Sequence, residues 1–320
     1  MTVCIAALAT HLESQVIVLA ADRMITARRI REYELADQTK LVWHRQNLAV
    51  LMSGSVDSLL EAYHNAASKC GQTCTVKELA DVLAGEIQAI RRRDVEQQYL
   101  QPYNLTLDNF VGRQREWTAD FFERLNSSIS DEDNDLGEVI VAGFDETAHI
   151  YSVEAAGWVR PWDATGFCTI GIGAQHAEAE FAHASYSPKR DWISAMRVTF
   201  FAKKRAEEAP GVGISTDLWH ITEGGYWYYW PQSKVVQALN LMYTATRYNE
   251  IIGIQGDAER LNDVLREEFS VATPRVATEE ERKEAEAKAE EADTAAVTTP
   301  DSSGIQGVAE GSQPPNTQDF

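Results

Sequence analysis

MTVCIAALATHLESQVIVLAAD, residues 1–22, is the stretch whose reading decides the fold. Residues 2–9 and 15–21 are apolar, β-branched runs separated by the polar THLES, the pattern of a β-hairpin. Structure is therefore expected to begin at the second residue, without a polar leader, a basic presequence or an apolar secretory segment. Thr2 could simply open an edge strand. It also offers chemistry: if the initiator Met is removed, Thr2 carries a hydroxyl nucleophile and a free α-amine on one residue. Such an amine titrates at roughly 7.7–8.0, so a useful fraction is neutral near neutral pH and can take the hydroxyl proton.

An N-terminal nucleophile needs a cation to favour the neutral amine and the alkoxide, and an anion to hold that cation. Outward from the hairpin, Asp22 ends the second run in LAADRMIT, and Lys40 in QTKLVWH stands directly before another apolar run. Either residue alone reads as a solvated surface group; together with Thr2 they form a constellation.

These residues resemble the proteasome β-subunit family, including the bacterial HslV peptidase and the Anbu proteasome homologue. The matching motif is an N-terminal Thr, a strand-ending Asp followed four residues later by Thr, a Lys before a short apolar strand, and a Gly after the next one. Here these are Thr2, Asp22, Thr26, Lys40 and Gly54, the last closing LAVLMSG. The Lys40–Gly54 interval fits the family, whereas Thr2–Asp22 is longer, an excess assigned to a larger turn at THLESQ. VIVAGFDETAHIYSVEAAGWV, TIGIGAQHAEAEFA, GVGISTDL and DLWHITEGGY resemble later family segments. The resemblance spans about residues 2–230.

The resemblance implies an α+β fold, a four-layer αββα sandwich of N-terminal-nucleophile type. It implies a catalytic set of Thr2, Asp22 and Lys40, an oxyanion-hole N–H from Gly54, and substrate main chain held by Thr26. The implied function is a threonine-type endopeptidase acting on unfolded polypeptide or peptides in a homo-oligomeric ring, with an ATP-dependent unfoldase as a further partner and no cofactor or metal. Two positions depart from the pattern. Ile172 stands where the family's Gly-Ser-Gly turn has Ser, and Ala209, beside Glu207 and Glu208, falls where an Asp precedes the late strand. These departures favour a catalytically silent ring subunit as the rival reading; a small-molecule amidohydrolase is the other, since one fold serves both chemistries.

The order of elements agrees with segregated strand and helix blocks. Two helices are expected between Asp57 and about Ile90, on stripes of Leu59, Leu60 and Tyr63 and of Leu79, Leu83, Ile87 and Ile90. The second stripe is also a candidate for contacts between ring subunits. Strands return at 138–144 and 149–155, helices at AQHAEAEFAHA and about 191–208, a hairpin through Glu223-Gly224-Gly225, and a helical region over about 232–268. Residues 91–137 read as a charged, irregular, family-atypical insertion within a domain covering 1–270. Residues 271–320 read as a disordered acidic tail, too poor in apolar residues to order themselves.

Composition bounds the partners. Of the formal charge of −20, residues 275–320 carry −7, with 11 acids against 4 bases, so the preceding part is acidic too. That argues against nucleic acid or an anionic membrane surface as a partner. With no apolar run near 18 residues, a cytoplasmic protein is expected, in which the sequons at Asn104 and Asn126 carry no meaning. Cys70 and Cys74 are spaced unlike common zinc or redox pairs, and the four cysteines read as free thiols. Asp131-Glu132-Asp133-Asn134-Asp135 begins like a calcium loop, but Leu136 occupies the required Gly position and Ala142 that of the final Glu. His176, His183 and His220 read as structural.

Overall fold

The opening hairpin sets the frame. Strand β1 (Cys4–His11) pairs antiparallel with β2 (Ser14–Asp22), His11 facing Ser14, so the turn is Leu12-Glu13 alone. Leu12 makes it at φ 56°. The extra residues expected in a larger turn lengthen the two strands instead, and Thr2 lies two residues before the strand start.

This computed structural model describes residues 2–27, 31–34, 39–132, 136–229 and 231–252, with the side chains of 25–27, 31–33, 130–132 and 248–252 outside the description. The described residues belong to one unit, 1–271. The 271–320 tail and the 253–268 part of the expected last helix lie outside the described residues, as do the last three residues, 133–135, of the calcium-like run.

One five-stranded antiparallel sheet has the order β10 (Phe167–Ile170), β1, β2, β11 (Thr216–Thr222), β12 (Gly225–Tyr229). The other has the order β5 (Leu41–Arg45), β6 (Leu48–Gly54), β7 (Gly137–Phe144), β8 (Ala148–Val153), β9 (Val159–Pro161). Between Asp22 and Lys40 a separate hairpin, β3 (Met24–Ala27) with β4 (Arg31–Glu34), is an addition to the sequence reading.

Period-2 alternation places the layers. Val3, Ile5, Ala7 and Ala9 join a core with helices α5 (Ala174–His183), α6 (Trp192–Ala206) and α7 (Lys234–Ile252). The intervening Cys4, Ala6 and Leu8 face Ala49, Leu51, Ile140 and Ile150 of the second sheet. That sheet's other face, Leu48, Val50, Val139 and Val141, is covered by α1 (Val56–Cys70) and α2 (Val76–Val95). The result is helices, sheet, sheet, helices, the stacking expected of elements with one apolar face each. Helix α2 starts at a capping box between Thr75 and Glu78. Its stripe of Leu79, Leu83, Ile87 and Ile90 is spent in this core, so it does not carry a ring contact.

The 91–137 stretch is not irregular. α2 runs to Val95, and α3 (Leu107–Gly112) and α4 (Ala119–Glu132) follow. Leu100, Phe110 and Leu125 form a small core of their own beside Trp117, Phe121 and Phe122.

Two buried polar clusters brace the first sheet. Asp217, fully buried, accepts from Arg23 Nε at 2.9 Å and Nη2 at 2.6 Å and from Tyr228 Oη at 2.5 Å. Breaking a buried pair from one side strands a charge. Arg23→Met is expected to cost about 3–5 kcal/mol in denaturant unfolding, with Arg23→Met/Asp217→Leu recovering most of it; equal loss in both variants would refute this.

His220 lies between Trp192 and the stacked Trp227, with Tyr229 Oη 2.9 Å from its Nδ1. Burial, with His11 nearby, pulls its pKa from 6.5 to about 4. The unfolded chain thus binds the proton more readily between those values. Stability is whole above pH 6.5 and falls as pH drops toward 4, by up to about 3 kcal/mol. His220→Gln is expected to flatten that acid limb of a melting-temperature profile; an unchanged limb would assign it to other groups.

Candidate active site

Three strand ends converge on one point. Thr2 stands two residues before the first residue of β1, Asp22 is the last residue of β2, and Lys40 is the residue before β5. Val3 and Asp22 are tied across the first hairpin, Asp22 N–H to Val3 carbonyl at 3.3 Å. Lys40 is tied to the second sheet by its carbonyl, which accepts from Met52 N–H at 2.9 Å. The Thr2 hydroxyl donates to Asp22 Oδ1 and accepts from Lys40 Nζ. Lys40 Nζ also donates to Asp22 Oδ1 at 3.0 Å, closing a three-membered hydrogen-bonded set. Thr2, Asp22 and Lys40 are 2%, 0% and 9% exposed, so a low-dielectric wall strengthens each contact.

The Asp22 carboxylate is held from both sides. Oδ1 additionally accepts from Val3 N–H at 2.9 Å, and Oδ2 accepts from Met24 N–H at 2.9 Å and Gly213 N–H at 3.0 Å. Backbone fixes the anion, the anion fixes Lys40 and Thr2, and Lys40 Nζ is left on the hydroxyl oxygen as the cation an alkoxide requires.

The turn at 171–173 closes the site from the β10 side. Gly173 N–H donates to the Thr2 carbonyl at 3.3 Å. Gly171 has φ +93°, and a Cβ there would stand 2.4 Å from that carbonyl oxygen and 2.7 Å from Ser53 Oγ. Only glycine fits such an approach. Ser53 thus borders the site, and Gly54 follows it at the exposed end of β6.

Cys4 is the other conceivable nucleophile here, two residues from Thr2 and close to Lys40 and Asp22. Burial pushes its thiol up to about 12, and Sγ donates to the Met52 carbonyl at 3.5 Å. A buried thiol of that kind is inert.

The two departures are visible in place. Ile172 is 49% exposed in the turn and brings no hydroxyl to Thr2. Ala209 is buried in the helical core, while Glu207 bonds Lys203 and Lys204 on α6. Sequence reasoning therefore assembled Thr2, Asp22 and Lys40, which do meet. It missed Gly213, Ser53 and Lys203, which only the fold brings near. The Thr26 side chain lies outside the described residues; its backbone is in β3, opposite Glu32.

The fold has a solved counterpart. Anbu, the ancestral beta-subunit from Yersinia bercovieri, superimposes with a TM-score of 0.57 at 11% identity, covering 80% of this chain and 99% of that one. The chain has a proteasome-like fold. No family model and no curated protein matches the sequence. At that identity the likeness speaks for architecture alone, so the chemistry rests on the residues just described. No helix among the described residues is long and apolar enough to cross a membrane.

Proposed function

We propose that this chain is a threonine-type endopeptidase that cuts peptide bonds through an acyl-enzyme on Thr2. The observation that carries the reading is the buried set in which the Thr2 hydroxyl meets both Lys40 Nζ and Asp22 Oδ1 at the chain's first strand. With Met1 removed, the Thr2 α-amine takes the hydroxyl proton while Oγ1 attacks the scissile carbonyl, and Lys40 balances the developing alkoxide. The Gly54 N–H receives the oxyanion. The amine passes its proton to the leaving peptide nitrogen, and water then hydrolyses the Thr2 ester, restoring the hydroxyl. Thr26 in β3 is assigned to substrate main chain.

Under this reading the substrate is unfolded polypeptide or peptide, delivered to a homo-oligomeric ring by an ATP-dependent unfoldase in the cytoplasm. The proteasome-like fold supports the ring; sedimentation at micromolar concentration is expected to show a closed or lock-washer oligomer, and a clean monomer near 36 kDa would remove that part.

The mass of the mature N-terminus tests the mechanism most directly. A chain starting at Thr2 is expected. Retained Met1 would bury the amine in a peptide bond and leave the hydroxyl without its base. One observation favours a second reading, a silent ring subunit: neither Ile172 nor Ala209 supplies the polar group that supports the amine in the resembled family. A mature Thr2 terminus without turnover on peptide amides would select it.

A further inference from the structure

Lys203 is a fully buried lysine that the chemistry above does not use. Its Nζ donates to Glu207 Oε1 at 2.5 Å and to the Gly213 carbonyl at 2.8 Å. Burial pulls its pKa from 10.5 down to about 8, against the opposing pull of Glu207 and Asp22, with Lys204 adding to the depression. Interring a cation is costly, and an apolar side chain of similar volume is often as stable or more so. A lysine does favour the C-terminal end of a helix, but Lys204 and Arg205 already serve the last turn of α6. The stability of α6 therefore gives little reason for a charge at 203.

The Gly213 residue gives a better one. Its carbonyl is held by Lys203, and its N–H is a donor to Asp22 Oδ2. A Cβ at Gly213 would stand 2.2 Å from Glu34 Oε1 and 3.0 Å from Met24 N, so the turn is wedged against β3 and β4. Ser215 N–H and Oγ then bond Glu34 at 3.0 and 2.6 Å. A continuous path runs Glu207, Lys203, Gly213, Asp22, Thr2, and it starts two residues before Ala209, where the resembled family places its supporting Asp.

We propose that Lys203 and Glu207 are positioning residues for the Thr2 site, holding the Gly213 backbone so that its N–H fixes the Asp22 carboxylate against Thr2 and Lys40. The inference rests on the peptidase reading of Thr2. Lys203 touches no reacting atom; it sets the angle and distance at which Asp22 presents Oδ1, and sites of this kind lose rate when such support is loosened.

The test uses the full chain with Met1 removed and a peptide β-lactone, whose acyl carbon bonds to Thr2 Oγ1 as the ring C–O breaks and the hydroxyl proton passes through the α-amine to the ring oxygen. Intact mass over time gives kinact and KI for wild type, Lys203→Met and Glu207→Gln. In parallel, hydrogen exchange reads the Gly213 amide. Lys203→Met is expected to lower kinact roughly 10- to 100-fold, the scale on which small misplacements act, with KI within about twofold. Gly213 protection should fall in the same variant while the melting temperature holds. Glu207→Gln should do the same to a smaller degree, and Lys203→Met/Glu207→Gln no more than Lys203→Met alone. Unchanged Gly213 protection in both variants overturns the inference, whatever the labelling shows. So does unchanged kinact in both variants of a chain whose wild type labels. A wild type that does not label overturns the peptidase reading instead, and Gly213 protection alone then decides whether Lys203 holds Asp22.

Discussion

Thr2→Ala removes labelling by a hydroxyl-directed electrophile and hydrolysis of peptide amides together, by a factor on the order of 10⁴ or more, while the chain still folds. The hydroxyl is the only atom lost that accepts from Lys40 Nζ, and the Cys4 thiol two residues away does not replace it, being buried and pushed up to about 12. The fold survives because the Lys40–Asp22 contact at 3.0 Å does not need the hydroxyl. Lys40→Met is expected to lose about 10²–10³ in rate, the usual scale for one charge-stabilising partner. In that variant Asp22 keeps its Thr2 hydroxyl contact and the N–H groups of Val3, Met24 and Gly213, so it is not stranded. Mass spectrometry of the first tryptic peptide locates the adduct. An adduct on any other residue, or undiminished turnover in Thr2→Ala, would falsify the assignment.

That much of the site could be read from sequence follows from where its parts sit. Thr2, Asp22 and Lys40 each stand at the boundary of an apolar run, and an antiparallel hairpin returns its second strand to the start of its first, so Asp22 has to come back to Thr2. The layers were legible in the order of elements: apolar strand runs and helical stretches such as Leu79, Leu83 and Ile87 come in separate blocks, as antiparallel sheets flanked by helices require. Lys203 and Gly213 were not legible. Their tie to Asp22 spans 191 residues of separation and passes through a turn, for which no local pattern exists. The helices of 91–137 were hidden because their apolar side chains gather in a small core of their own, Phe110 stacking on Phe122 at 5.1 Å, within a stretch otherwise rich in charged and polar residues. The hairpin of β3 and β4 was hidden because each strand is only four residues long, too short for a periodic pattern to announce it.

Gly54→Ala is expected to damage both fold and chemistry, which separates it from Thr2→Ala. Gly54 has φ +131°, a conformation costing a side-chain-bearing residue roughly 1–3 kcal/mol. A Cβ there would also stand 2.5 Å from Gly137 Cα and 2.5 Å from the Leu136 carbonyl oxygen, both backbone atoms that cannot swing away. Gly54 and Gly137 face each other at the ends of β6 and β7, and a Cβ on Gly137 would in turn stand 2.0 Å from the Ser53 carbonyl. The strands reach this closeness because both positions are glycine. Relief requires β6 to part from β7 at the residue whose N–H is assigned to the oxyanion, so the rate should fall about 10²–10³-fold, the scale of one lost donor. The melting temperature should fall with it, by several degrees. Gly85→Ala is the control, since a Cβ on that α2 residue meets nothing within 4 Å and raises helix propensity. If Gly54→Ala melts lower but labels at the wild-type rate, the oxyanion lies elsewhere; if it labels slowly at an unchanged melting temperature, the strand ends have more room than their spacing allows.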